Sequence, residues 1–167
     1  MVVDTRVATV TTAIAVSDER VLYPLVAEFL SNRGFKASTE VFYHGRRSYE
    51  IDVVGIKGHQ VLAVEVKLKC FSKAFRQAMK RLRHSDYVYM GFPMPYASFA
   101  AQEYHRAINK FGLGIIGIGE DKSYEIVQPK HSKQLNSALK ERFIRDLKRQ
   151  VELRKGGEIA LCMASAQ

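Results

Sequence analysis

Three strand-like runs in immediate succession constrain this chain more than any other feature. Lys36 to Tyr43, Ser48 to Ile56 and Gln60 to Leu68 are rich in β-branched and aromatic residues, and only the polar turns HGRR and KGH, each with one glycine, part them. Turns that short make consecutive runs neighbours, so the pattern predicts an antiparallel meander. The rest of the fold must be arranged around it.

On the N-terminal side, a strand is expected at about Arg6 to Val16. Ser17 then offers an N-cap, and Val21, Leu22, Leu25, Val26, Phe29 and Leu30 recur at helical spacing before Gly34 ends the helix. Pro24 suits a first turn better than an interior, which places the regular helix from about Tyr23. Beyond the meander, Phe71, Ala74, Phe75, Ala78, Met79 and Leu82 predict a second helix. Its other face carries Lys73, Arg76, Lys80, Arg81 and Arg83 and is expected to point to solvent. A strand at Asp86 to Phe92, a helix at about Ser98 to Phe111 and strands at Gly114 to Ile118 and Tyr124 to Val127 follow. A basic helix from roughly Ser132 to Leu153 and a loosely ordered tail close the chain. Strands alternating with helices after a meander imply an α/β fold with a mixed sheet covered on both faces.

At 167 residues and 47% hydrophobic content, one domain spanning 1–167 accounts for everything. Within it, 17–92 forms the core, 93–130 a helix-and-strand extension, 131–154 the basic C-terminal helix and 155–167 the tail.

The chemistry concentrates in the second and third runs. Strand periodicity puts Val61, Ala63, Glu65, Lys67 and Lys69 on one face and Leu62, Val64, Val66 and Leu68 on the other, which is core. In YEIDVVG, Glu50 and Asp52 share a face with Val54 and Ile56. If the KGH turn pairs the two strands, Asp52 comes within metal-bridging reach of Glu65. Two adjacent carboxylates repel unless a proton or cation compensates, and Mg²⁺ takes such hard oxygen ligands together with water and phosphate oxygens. Lys67, one pleat beyond Glu65, could neutralise charge on a phosphoryl group or help orient or deprotonate an attacking water. The plainer reading is a solvated strand face with ion pairs worth ~0.2–1 kcal/mol each.

YEIDVVG, then VLAVEVKLK, then a helix with Gln77 in FRQAMKRLRHSDYVYMGFP resemble the core of the PD-(D/E)XK, or restriction endonuclease-like, nuclease superfamily, near its Holliday junction resolvase-like and type IV restriction-like members. Asp52 matches the first acidic position, and Glu65 with Lys67 matches E-x-K. The αβββαβ order from about Val21 to Phe92 matches too, as does the added FGLGIIGIGEDKSYEIVQP segment of some members. Ile51 stands where the name-giving proline would be. The resemblance implies a restriction endonuclease-like core with extra C-terminal strands and a basic helix. It implies that Asp52, Glu65 and the Val66 carbonyl ligate Mg²⁺ or Mn²⁺, that Lys67 is catalytic, and that Glu28 and Gln77 support the site. The expected activity is metal-dependent hydrolysis of DNA phosphodiester bonds, endonucleolytic in mode, by a homodimer. The alternative is a non-catalytic nucleic-acid-binding or assembly protein that keeps the fold.

Composition agrees with a polyanionic partner. Against 17 Asp and Glu stand 26 Lys and Arg, a formal charge of +9. Arg46 and Arg47 in the first hairpin turn, with Lys69, Lys73 and Arg81, are the candidate nucleic-acid contacts; DNA is expected, with RNA left open. Cys70 and Cys162 are too far apart in sequence to form a zinc signature or a disulfide framework, which fits a cytoplasmic setting. Asp4 and Arg6 interrupt the apolar opening, so it reads poorly as a signal peptide, and no uncharged run approaches the ~20 residues needed to span a bilayer. FGLGIIG spells G-x-G-x-x-G, but a helix precedes it and a strand follows, the reverse of a dinucleotide fingerprint. The five histidines show no metal-ligand spacing.

Overall fold

The computed structural model describes residues 18–44 and 48–164, with side chains as far as Arg154. The strand expected at Arg6 to Val16, the proposed cap Ser17 and the turn residues Arg46 and Arg47 lie outside these. A 3-10 turn (Glu19–Leu22) leads into α1 (Tyr23–Ser31), followed by β1 (Lys36–Tyr43), β2 (Tyr49–Lys57), β3 (Gln60–Val66), α2 (Phe71–Arg81) and β4 (Tyr87–Pro93). The chain continues through α3 (Met94–Glu103), α4 (His105–Phe111), β5 (Gly114–Ile118), β6 (Ser123–Val127) and α5 (Ser137–Ala164). The fold is mixed α/β: one six-stranded sheet in the order β1-β2-β3-β4-β5-β6, flanked by helices.

The meander forms as expected, with β1, β2 and β3 successively antiparallel. Two crossovers then add β4 and β5 in parallel, and β6 returns antiparallel. Asp18 caps the first turn, its carboxylate accepting the Arg20 N–H at 3.0 Å, and Pro24 sits in the first turn of α1, where its missing N–H costs nothing. Gly34, at φ +82, supplies the left-handed residue that ends the α1 segment.

Both faces of the sheet are buried, and not only the one carrying Leu62, Val64 and Val66. Those residues, with Val53 and Tyr89, pack under α1. On the opposite face, Val54, Val61 and Ala63 pack under Phe143, Ile144 and Leu147 of α5, while Val88, Met90 and Ile115 lie under α2, α3 and α4. Glu65 therefore lies beneath a helix. The solvated strand face considered from sequence does not exist here.

Several element boundaries differ from the periodicity reading; β3, expected to reach Leu68, ends at Val66, which leaves Lys67 outside the strand. The expected helix Ser98 to Phe111 starts earlier, at Met94, and breaks into two at Tyr104. The last helix begins at Ser137 because the preceding segment is pinned elsewhere. The Ser132 N–H donates to Asp86 O, its hydroxyl donates to Leu82 O, and the Asn136 side chain accepts the Leu139 N–H as an N-cap. Finally, α5 runs on to Ala164, through most of the tail expected to be loose.

Candidate active site at the parting of β2 and β3

The β2–β3 ladder runs from Lys57↔Gln60 to Val53↔Val64 and stops. At the next position Asp52 replaces backbone with side chain: its Oδ2 accepts the Val66 N–H at 2.7 Å. A carboxylate thus wedges the strands apart. Across β2, Glu40 adopts a left-handed φ of 51 between the pairs Thr39↔Val53 and Val41↔Ile51. Strand alternation breaks at this point, since Ile51 and Val54 both join the α5-side core while Val53 joins the α1 side.

Asp52 consequently faces α1 and not the face of Glu65, contrary to the simple alternation. Its Oδ1 accepts from the Tyr23 hydroxyl at 2.9 Å and its Oδ2 also from Lys67 Nζ at 3.2 Å. Lys67, one residue past the end of β3, is 3% exposed, and its ammonium also donates to Glu19 Oε2 at 2.9 Å and to the Val66 carbonyl at 2.6 Å. Burial works to lower the Lys67 pKa, but the negative charges of Asp52 and Glu19 outweigh it and hold the group above its ordinary value. Burial, followed by the charge of Asp52, keeps the Tyr23 phenol protonated far above its usual range.

Glu65 stays on the α2 side, fully buried, and pairs with Arg81 Nε. Burial pushes its carboxyl up to about 7, against the pull of Arg81. Among the described residues its Oε2 has no hydrogen-bond partner, and neither does Oε1 of Gln77, one turn before Arg81 on α2. Arg81 is itself 1% exposed: it donates to Glu50 O at 2.8 Å and lies over the Tyr49 ring at 4.0 Å. Beyond it, His84 stacks on Tyr43 and Phe143, and burial drops its pKa to about 3, so the ring is neutral. Two carboxylates, Glu19 and Asp52, thus hold Lys67 on the α1 side, and Glu65 holds Arg81 on the α2 side.

The sequence-predicted residues divide. Asp52, Val66 and Lys67 come together where the strands part, whereas Glu65 lies on the opposite face with Arg81, and Gln77 is on α2 one turn before Arg81 with its Oε1 buried. Glu28 is exposed on α1, and the acidic side chain that reaches the site from this end of the chain is Glu19, four residues ahead of Tyr23. Arg81 must be corrected: it points inward to Glu65 and is no surface contact for nucleic acid, because a buried carboxylate claims it. Lys69 and Lys73 are exposed. Periodicity missed Glu19 and Tyr23; their i, i+4 spacing leading into α1 was the only available signal.

Among the described residues, no group of three or more His, Cys, Asp or Glu side chains is arranged to hold a metal ion. The oxygen chemistry nevertheless fits a hard divalent cation. A buried carboxylate oxygen and a buried amide oxygen lack partners, and carboxylates outnumber cations by one.

No protein-family model matches the chain, and no curated protein does. Among solved structures, it is similar to a protein of unknown function from Silicibacter pomeroyi, with a TM-score of 0.63 and 17% identity over 84% of this chain and 90% of that one. A second structure, also of a protein of unknown function, matches at a TM-score of 0.47 and 17% identity over 59% of this chain and 57% of that one. The first likeness concerns the fold alone.

Proposed function

We propose that this protein is a metal-dependent nuclease that hydrolyses DNA phosphodiester bonds, with the parting of β2 and β3 as its active site. The observation that carries this reading is that Oε2 of fully buried Glu65 has no partner among the described residues, while the charges of Asp52 and Lys67 reach its carboxyl from the other side of the sheet. Leaving such a group unsatisfied costs roughly 1–3 kcal/mol, so a fold that buries it without an occupant gains nothing from the arrangement. Asp52, Glu65 and the Val66 carbonyl would hold Mg²⁺ or Mn²⁺, with Gln77 beside them. When bound, the ion would lower the pKa of a water and neutralise phosphoryl charge.

The chain's own residues divide the remaining work. Lys67 is held protonated by Asp52 and Glu19, so it acts as a donor to phosphoryl oxygen and not as a base. Tyr23 fixes the orientation of Asp52, and Glu19 that of Lys67.

One observation favours a second reading. Arg81 already occupies one oxygen of Glu65, as a cation would in a scaffold that binds nucleic acid without cutting it. Incubating supercoiled plasmid and a labelled four-way junction with Mg²⁺, Mn²⁺ or EDTA separates the two. Metal-dependent cutting by wild type, lost in Asp52→Ala, supports the nuclease. Binding without cutting by both proteins hands the site to the non-catalytic reading.

A further inference from the structure

From Val66 to Ser85 the chain carries seven Lys and Arg residues and no Asp or Glu. Two of the seven, Lys67 and Arg81, turn inward to carboxylates. The other five, Lys69, Lys73, Arg76, Lys80 and Arg83, are all exposed, and none makes an ion pair or a side-chain hydrogen bond with a described residue. Lys73, Arg76 and Lys80 share one face of α2 about one turn, ~5.4 Å, apart along its axis, and Lys69 and Arg83 stand in the segments just before and just after the helix.

The position of this row is set on both flanks. On one side of it, Phe75 and Met79 pack toward α4, Phe75 meeting Phe111 edge-on at 5.5 Å. On the other, Arg81 pairs with Glu65, and Gln77, one turn before it, has its Oε1 buried. The row therefore runs on the same helix that carries the Arg81 partner of Glu65. The last helix offers no equivalent: between Lys140 and Arg154, Glu141, Asp146 and Glu152 interrupt its basic residues, and Gln150 and Arg154 are engaged with the backbone of β1.

We infer that the exposed face of α2, with the segments flanking it, is a phosphate track: one strand of nucleic acid lies along Lys73, Arg76 and Lys80 of the helix, with Lys69 before it and Arg83 after it, which delivers its backbone past Gln77 to the site. A ladder of like charges one turn apart, with no acidic residue to neutralise it, matches a polyanion whose charges repeat at a similar interval and releases that polyanion's counterions on contact. The inference rests on the nucleic-acid reading above and names where that partner is held.

The test is binding of labelled single-stranded and duplex oligodeoxynucleotides in EDTA, followed by fluorescence anisotropy across a salt series. The Lys73→Gln/Arg76→Gln/Lys80→Gln variant is compared with wild type and with an equal charge removal on α5, Arg145→Gln/Lys148→Gln/Arg149→Gln. The α2 variant is expected to bind about tenfold or more weakly, with a log–log salt slope shallower by about two, while the α5 variant stays within a few-fold of wild type. Wild-type affinity in the α2 variant, equal loss in both variants, or no salt-dependent binding by wild type would each overturn the track. Because EDTA removes any metal, the result stands whether or not the protein cuts, so failure of the track and failure of the nuclease reading are separate outcomes. All six positions are exposed; if the α2 triple nonetheless fails to fold by thermal unfolding, Lys69→Gln/Arg83→Gln at the ends of the row carries the same test at about two-thirds of the change in slope.

Discussion

Two buried aspartates fasten the two ends of β3, and they differ in what surrounds them. Asp86 accepts the Val61 N–H at 2.7 Å at the start of the strand, and Asp52 accepts the Val66 N–H at 2.7 Å at its end. Each also holds a lysine, Lys140 at 2.8 Å for Asp86 and Lys67 at 3.2 Å for Asp52. At the Asp86 end the account closes: one carboxylate, one ammonium from α5, and a contact from the exposed His131. At the Asp52 end it does not close, because Glu19 and Glu65 add charge and Glu65 keeps an unpartnered oxygen. The same local device makes a structural clamp when its charges balance and leaves a candidate reactive site when they do not.

Exchanging the two aspartates for alanine should break this comparison most sharply. Asp52→Ala is expected to reduce metal-dependent cleavage by more than about a hundredfold. Asp86→Ala should leave cleavage per folded molecule within a few-fold of wild type, yet lower stability to urea by roughly 3–5 kcal/mol, since it strands Lys140 and a backbone N–H of β3. If both variants lose activity and stability together, the two ends are alike and the distinction fails.

The surplus carboxylate gives a pH signature of its own. The folded pKa of Glu65, about 7, lies above its ordinary 4.5, so the protonated form stabilises the fold. That contribution is full below pH 4.5 and is lost as pH rises through 7, a span of about 3 kcal/mol. His84, whose pKa falls to about 3 from 6.5, runs the other way and loses stability as pH falls. The stability difference between Glu65→Gln and wild type cancels the histidine, and it should shift in favour of the variant between pH 4.5 and 7. A flat difference curve, from urea melts at stepped pH, would mean that Arg81 alone sets the charge of Glu65.

The smallest expected effect is at Glu19. Glu19→Gln keeps a hydrogen bond to Lys67 but removes the charge, so cleavage should fall about tenfold through kcat, with the unfolding midpoint little changed. The accompanying readout is the alkaline limb of the pH–rate profile, which should move to lower pH as Lys67 loses an anion that holds its proton. An unchanged limb would leave Glu19 as a surface contact.

Much of the frame was legible in the sequence because its signals are local. The runs at Lys36–Tyr43 and Gly114–Ile118 emerge with the bounds expected, each with a left-handed glycine, Gly34 or Gly112, two residues before its start. Pro24 correctly placed the start of α1, since a proline's constraint acts within one turn. Boundaries set by distant partners were missed. Ser137 begins α5 only because Ser132 is tied to Leu82 and Asp86, some 46 to 50 positions earlier. The candidate site shows the same division. Asp52, Glu65 and Lys67 stand out by residue type and spacing, whereas Glu19 and the inward turn of Arg81 do not.

By itself, then, the sequence determined the meander, the alternation of helix and strand that follows it, the charge imbalance, and which acidic and basic residues fall near the end of β3. Hydrophobic period and turn chemistry are short-range, and they survive in a linear reading. Only the tertiary structure decided that Asp52 and Lys67 turn to the α1 side while Glu65 stays under α2. The physical reason is the end of the β2–β3 ladder: once backbone pairing stops at Val53↔Val64, strand alternation no longer dictates direction. Each buried charge then points to whichever partner, Tyr23, Glu19 or Arg81, packing has brought within hydrogen-bond reach.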